Sequence, residues 1–253
     1  MKKLFLFLLL APLGMLAQEN AGYPVFTNII LTANPAEISQ FESAVKEHNA
    51  RFHAEGDQGA RVYQIMNGTN ADKYVWTMGP HTWATIDEMD MGGDHFNHWN
   101  NEVLAHTIGN ATTHVWRFRP ERSNFSKDFD LKYLNVFIVD VARFGGEKFM
   151  SVVDRVNKVY AEKWPDYQYG TYYNTMPSND GMDFAWVDFF DKMAWLGQDD
   201  EFAKNFEEVH GAGSFATFME DVAASTDGEM TEVWMYREDL SGLGPQVMAV
   251  QRQ

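Results

Sequence analysis

Cysteine is absent from all 253 residues, so disulfides and lipid attachment through cysteine are both excluded. The fold must be held by core packing. Basic residues are scarce, 20 Lys and Arg against 36 Asp and Glu, for a net charge of −16. Removing Lys2 and Lys3 takes it to −18. Phosphate contacts need Lys and Arg, so the charge argues against nucleic acid and anionic membrane surfaces as partners, and the acidity reads as solubility. No phosphate-binding Walker loop, dinucleotide glycine fingerprint, nucleophile elbow or zinc-protease helix occurs. The apolar run from Leu4 to Ala11 is too short to span a bilayer. With Met1-Lys2-Lys3 before it and Leu16-Ala17-Gln18 after it, it reads as a signal peptide over 1–17, for a periplasmic or secreted protein.

The clearest positive feature is a repeat. Thr113-His114-Val115-Trp116-Arg117-Phe118-Arg119 returns as Thr231-Glu232-Val233-Trp234-Met235-Tyr236-Arg237. Both copies alternate as half-buried strands do. Each closes a block of similar layout. In the first block, strands are predicted at 27–33, 61–67, 73–78 and 111–119. Helices are predicted at 36–54, after Asn34-Pro35, and at 95–108, after Asp94. Ile38, Phe41, Val45, His48 and Phe52 form one apolar stripe. The second block repeats the order, with strands at 133–141, 168–175, 183–190 and 229–237. Its helices are expected at 146–164, around Phe202 to Val209, and from Ser214. Apolar residues make up 45% of the chain and aromatics 15%, enough for a sizeable core.

The fold class is α+β. Each block is a βαββαβ, ferredoxin-like unit, whose sheet carries helices on one face only. The other face is rich in Trp, Tyr, Phe and Met and must be covered. Two such faces laid sheet to sheet make a barrel-like pseudo-dimer. The expected divisions are a first repeat at 23–120, a linker at 121–132, a second repeat at 133–239 and a loosely packed tail at 240–253. This layout resembles the dimeric α/β-barrel superfamily, as an exported bacterial member with both ferredoxin-like halves in one chain. That resemblance implies small-molecule monooxygenases, haem-degrading and haem-dependent enzymes, and stress-related proteins of unknown activity as relatives.

Histidine breaks the symmetry. Seven of eight lie in the first half, and only His210 in the second. His95, His98 and Glu102 share one helical face and are ligand types that suit zinc or iron. Their counterparts Ser214, Thr217 and Asp221 are also polar, so a solvated helix face accounts for the same pattern. His81, after the third strand, is the candidate general base. His48 lies on an apolar stripe, where a hydrogen-bonded core role competes with catalysis. His210 is the candidate axial ligand that haem-dependent relatives imply. Trp76, Trp116, Trp186 and Trp234 stand at matching strand positions, either lining a ligand pocket or filling the barrel core. Arg117, Arg119 and Arg237 are candidates to meet an anionic ligand at the barrel mouth.

The leading expectation is an exported protein that binds a small apolar or aromatic ligand between its sheets. A monooxygenase-like or haem-linked enzyme is the second, with the cofactor left open. A structural or interaction protein with a filled core is the third.

Overall fold

Alternating residues on the first strand face two different layers, and this sets the architecture. On β1 (Val25–Leu31), Phe26, Asn28 and Ile30 point one way, while Ile29 and Leu31 point the other. The remaining strands of the first half are β2 (Ala60–Ile65), β3 (Tyr74–His81) and β4 (Thr112–Phe118). Those of the second are β6 (Tyr133–Val141), β7 (Tyr169–Asn174), β8 (Phe184–Phe190) and β9 (Thr226–Tyr236). A short strand, β5 (Phe129–Asp130), lies between the halves. The structure, a computed structural model, describes residues 22–89, 92–199 and 201–250. The segment read as a signal peptide lies outside them.

The eight long strands form one closed antiparallel barrel, in the order β1-β3-β2-β9-β6-β8-β7-β4. Each half keeps the 4-1-3-2 order of a ferredoxin-like sheet. The halves join edge to edge, β2 to β9 and β4 to β7. The expected α+β pseudo-dimer is therefore the observed one, and closure leaves the barrel with no free edge.

The helices pack outside. α1 (Ile38–Phe52) lays Phe41, Val45, His48 and Asn49 on the first sheet. α2 (Trp83–Asp87) is capped by Thr82. α3 (Asp94–His98) is shorter than the predicted helix over 95–108. It runs into a π turn, Trp99–Val103, and then a 3-10 turn, Leu104–His106. The second half has α4 (Gly146–Lys163), α5 (Phe202–His210) and α6 (Ser214–Ala223). No described helix is long and apolar enough to cross a membrane.

The segments expected to be a linker and a loose tail are both built into the fold. After β4, the Ser123 hydroxyl donates to Arg119 O and accepts from Thr171 N on β7. After β9, Ser241 does the same with Arg237 O and Val62 N on β2. Each half thus ends in a segment that crosses onto the other half. β10 (Gln246–Val247) then pairs with β5. Gly242 lies so close to the end of α1 that an added Cβ would meet the His53 carbonyl oxygen at 2.1 Å.

Candidate functional site

The barrel interior holds a cavity of about 610 Å³. Its wall is mostly aromatic and aliphatic, with Phe26, Tyr63, Trp116, Phe118, Tyr172 and Trp234 among its members. The C-terminal segment, from Gln246 to Val250, covers one end. Burial holds the Tyr63 phenol up at about 12 and raises Tyr172 as well, so both stay protonated.

One polar row crosses this apolar wall. Thr77 on β3, Asn28 on β1 and His114 on β4 are direct neighbours across three strands. All three line the cavity. Asn28 Oδ1, Thr77 Oγ1 and His114 Nδ1 are buried without a hydrogen-bond partner. Buried polar atoms are nearly always paired, so three orphans in one row set this stretch apart from the rest of the wall. His114 Nε2 lies 2.7 Å from Asp180 Oδ2. Burial works against the Asp180 charge, but hydrogen bonds from His114 and Ser178 outweigh it and hold the carboxyl below its ordinary range. As an ionised acceptor Asp180 takes a hydrogen bond from Nε2–H, which leaves Nδ1 as a lone pair at the cavity wall in the neutral ring.

The four tryptophans divide by strand parity. Trp116 and Trp234 face the cavity. Trp76 and Trp186 face outward, under the helices. Trp76 Nε1 donates to Asn49 Oδ1, and Trp186 stacks on Tyr169 with centroids 4.3 Å apart. A four-ring pocket between the sheets is thus corrected to a two-ring one. Residues one step apart on a pleated strand face opposite layers. Trp76 pairs with the outward Ile29, whereas Trp116 pairs with the inward Phe26.

His81 is buried rather than on an open loop. It sits at the end of β3, where Nδ1 donates to the Thr82 carbonyl and Nε2 accepts from Thr27 Oγ1, at 3.1 and 3.0 Å. Both ring nitrogens are occupied in the neutral form, so the geometry is that of a core histidine. Arg119 and Arg237 pair with Glu121 and with Glu42 and Asp239, and Arg117 lies over the Tyr23 ring.

His48, His95 and His98 meet, together with His53, behind the first sheet. His53 Nε2 lies 3.2 Å from His48 Nε2 and 3.0 Å from His95 Nε2. His48 Nδ1 lies 3.3 Å from His98 Nδ1. Burial first, then the neighbouring imidazoles, push His48 down to about 3; burial chiefly pushes His53 to about 4. Glu102 stands apart, exposed on the π turn. A π turn advances less per residue than the α-helix assumed in the spacing argument, and so rotates Glu102 off the histidine face. His53 replaces it, and its position five residues past His48 matches no simple helical face.

The second half has a smaller cavity of about 400 Å³ between its sheet and helices, lined by Phe149, Tyr160, Trp186 and Phe218 among others. Haem does not fit it by donor set. No His, Arg or Lys lines it, while Asp188 and Glu229 do. His210 lies outside the lining, with Nε2 donating to the Arg155 carbonyl at 3.0 Å.

No family model and no curated protein sequence matches the chain. Solved structures do. A proposed monooxygenase from Lactobacillus acidophilus superposes with a TM-score of 0.52 at 12% identity, covering 85% of this chain and 94% of that one. An anthrone oxidase-like protein gives 0.54 at 10% identity, covering 92% and 96%. Chlorite dismutase from Candidatus Nitrospira defluvii gives 0.53 at 10%, covering 86% and 93%. The fold is that of the dimeric α/β-barrel proteins, with both halves carried on one chain.

Proposed function

We propose that the barrel binds one small, largely aromatic molecule whose polar edge, a hydroxyl or carbonyl, rests against Thr77, Asn28 and His114. The three orphaned polar atoms in an otherwise apolar cavity carry this reading. Such a wall with a few convergent polar groups is the usual make-up of a small-molecule site. The cavity speaks against a core filled by its own side chains.

The His114–Asp180 pair favours an enzyme as the second reading. Asp180 fixes the imidazole tautomer, and His114 Nδ1 takes a proton from an acidic C–H or O–H of the bound aromatic. Removing that proton makes the aromatic electron-rich, and dioxygen, supplied from solution, is the oxidant that takes its electrons. The fold shared with a proposed monooxygenase and an anthrone oxidase-like protein supports this class of substrate. The amino-terminal charge and apolar pattern supports export to the periplasm.

Tryptophan fluorescence, followed while hydroxylated one-, two- and three-ring aromatics are titrated in, tests the binding reading. Saturable quenching is expected, weakened tenfold or more by Asn28→Val. Absence of saturable binding by every ring size sinks it. Oxygen uptake by the wild-type protein at saturating compound, lost in His114→Asn even after the compound is raised to saturate the variant, separates enzyme from binder.

A further inference from the structure

We propose that His48, His53 and His95 form a zinc site, buried behind the first sheet and separate from the barrel cavity. The tautomers carry the argument. The Gln58 carbonyl can only accept, and it lies 2.5 Å from His53 Nδ1. His53 therefore bears its proton on Nδ1 and turns an Nε2 lone pair inward. That lone pair meets Nε2 of His48 and Nε2 of His95, at 3.2 and 3.0 Å. One lone pair takes one N–H, so if one neighbour donates there, the other turns its own lone pair toward it. A cation at the centre satisfies all three.

The spacing agrees. Zinc–nitrogen bonds of about 2.0 to 2.1 Å at tetrahedral angles set ligand nitrogens about 3.3 Å apart. The three candidate atoms all lie within 4.8 Å of one another, with the two edges at His53 slightly below the ideal. Neutral imidazoles are the commonest nitrogen ligands for zinc.

The surroundings are those of an oriented site. A ligating histidine generally donates its other N–H to a carbonyl, carboxylate or further imidazole. His53 does so to Gln58 O. His48 does so through Nδ1 to His98 Nδ1, at 3.3 Å, and His98 Nε2 faces Glu47 Oε1 at 3.7 Å. His98 thus backs His48, with the exposed Glu47 carboxylate beyond it. His48 and His53 are fully buried, held by Trp76, Trp99 and Phe52. His95 comes from a different element, α3, so the site joins α3 to α1. Three protein nitrogens leave the fourth tetrahedral position to water.

The test uses the full mature chain, stripped with a chelator and dialysed. Cobalt(II) is titrated in as a spectroscopic probe, and zinc binding is measured by calorimetry. The expected results are one equivalent bound, the strong visible bands of tetrahedral cobalt, their loss on adding zinc, and a higher Tm with zinc. His95→Ala, at a half-buried position, weakens binding at least a hundredfold. His98→Ala, outside the ligand set, weakens it roughly tenfold. Glu102→Ala leaves it unchanged. No zinc or cobalt binding by the folded wild type overturns the proposal, as does zinc binding unaltered in His95→Ala. Loss of binding in Glu102→Ala with retention in His95→Ala overturns it as well. Circular dichroism of each variant separates lost binding from lost folding.

Discussion

The two halves share a backbone plan and differ in what fills it. Aligning Phe41 and Val45 with Phe149 and Val153 sets His48 opposite Val156, Asn49 opposite Asn157 and Phe52 opposite Tyr160. Where the first half packs imidazoles between sheet and helices, the second packs apolar side chains around a cavity. Inside the barrel the contrast repeats. The row Thr77–Asn28–His114 corresponds to Val187–Val136–Glu232. Of that second row only Glu232 is polar, and both its oxygens are taken, by Asn70 Nδ2 and Trp234 Nε1. The first half carries unsatisfied polar groups and the second carries none in the matching row. The two halves thus share the closure of the barrel, while the unpaired polar row and the histidine cluster belong to the first, with Asp180 reaching His114 from the second.

The comparison is open to direct attack. The largest effects belong to the shared plan. Phe41→Ala and Phe149→Ala, at matching buried points of α1 and α4, each cost about 3 to 5 kcal/mol in urea unfolding. A difference of several kcal/mol between them breaks the claim of equivalent packing. Next comes an asymmetric contact: Gly242→Ala forces a methyl onto the His53 carbonyl and costs about 1 to 3 kcal/mol.

Exchanging the two rows has opposite signs. Asn28→Val removes a buried orphan acceptor and raises stability by about 1 kcal/mol, while Val136→Asn buries a new one and lowers it by about 1 to 3 kcal/mol. Acid sensitivity also belongs to the first half. Folded His48 and His53 resist protonation down to about 3 and about 4, against 6.5 for the free side chain. Below 6.5 the unfolded chain takes up protons that the folded chain refuses, so metal-free stability falls as pH drops from 6.5 toward 4. Denaturation midpoints at pH 7 and pH 5 measure this, and His48→Val, the second half's residue, reduces the difference. The smallest change is Glu102→Ala, within about 0.5 kcal/mol of wild type because the side chain is exposed.

The fold was legible because its signals are periodic. Alternation in the strands, the apolar stripe of α1 and the repeated Thr-x-Val-Trp state element order without any tertiary information. The sites were legible only in part. His95, His98 and His48 are visible as single residues, but their meeting depends on α3 crossing α1. His53 lies beyond the helical stripe, and its role appears only once the chain turns at Gln58. Asn28 and Thr77 were missed, although a polar residue among inward apolar neighbours such as Phe26 and Ile30 is itself a signal. Asp180 sits on a loop, and nothing periodic places it beside His114.

The seams between the halves account for the most faithful repeat in the chain. Trp116, Arg117 and Phe118 of β4 pair with Asn174, Tyr173 and Tyr172 of β7. Trp234, Met235 and Tyr236 of β9 pair with Ile65, Gln64 and Tyr63 of β2. These short stretches, and the Ser123 and Ser241 clasps just beyond them, are where one sheet becomes the next. Neither half can lose its copy of the motif without uncovering an edge of its neighbour. The repeated segment acts as a mutual fastening, each copy closing the barrel on the sheet of the other half.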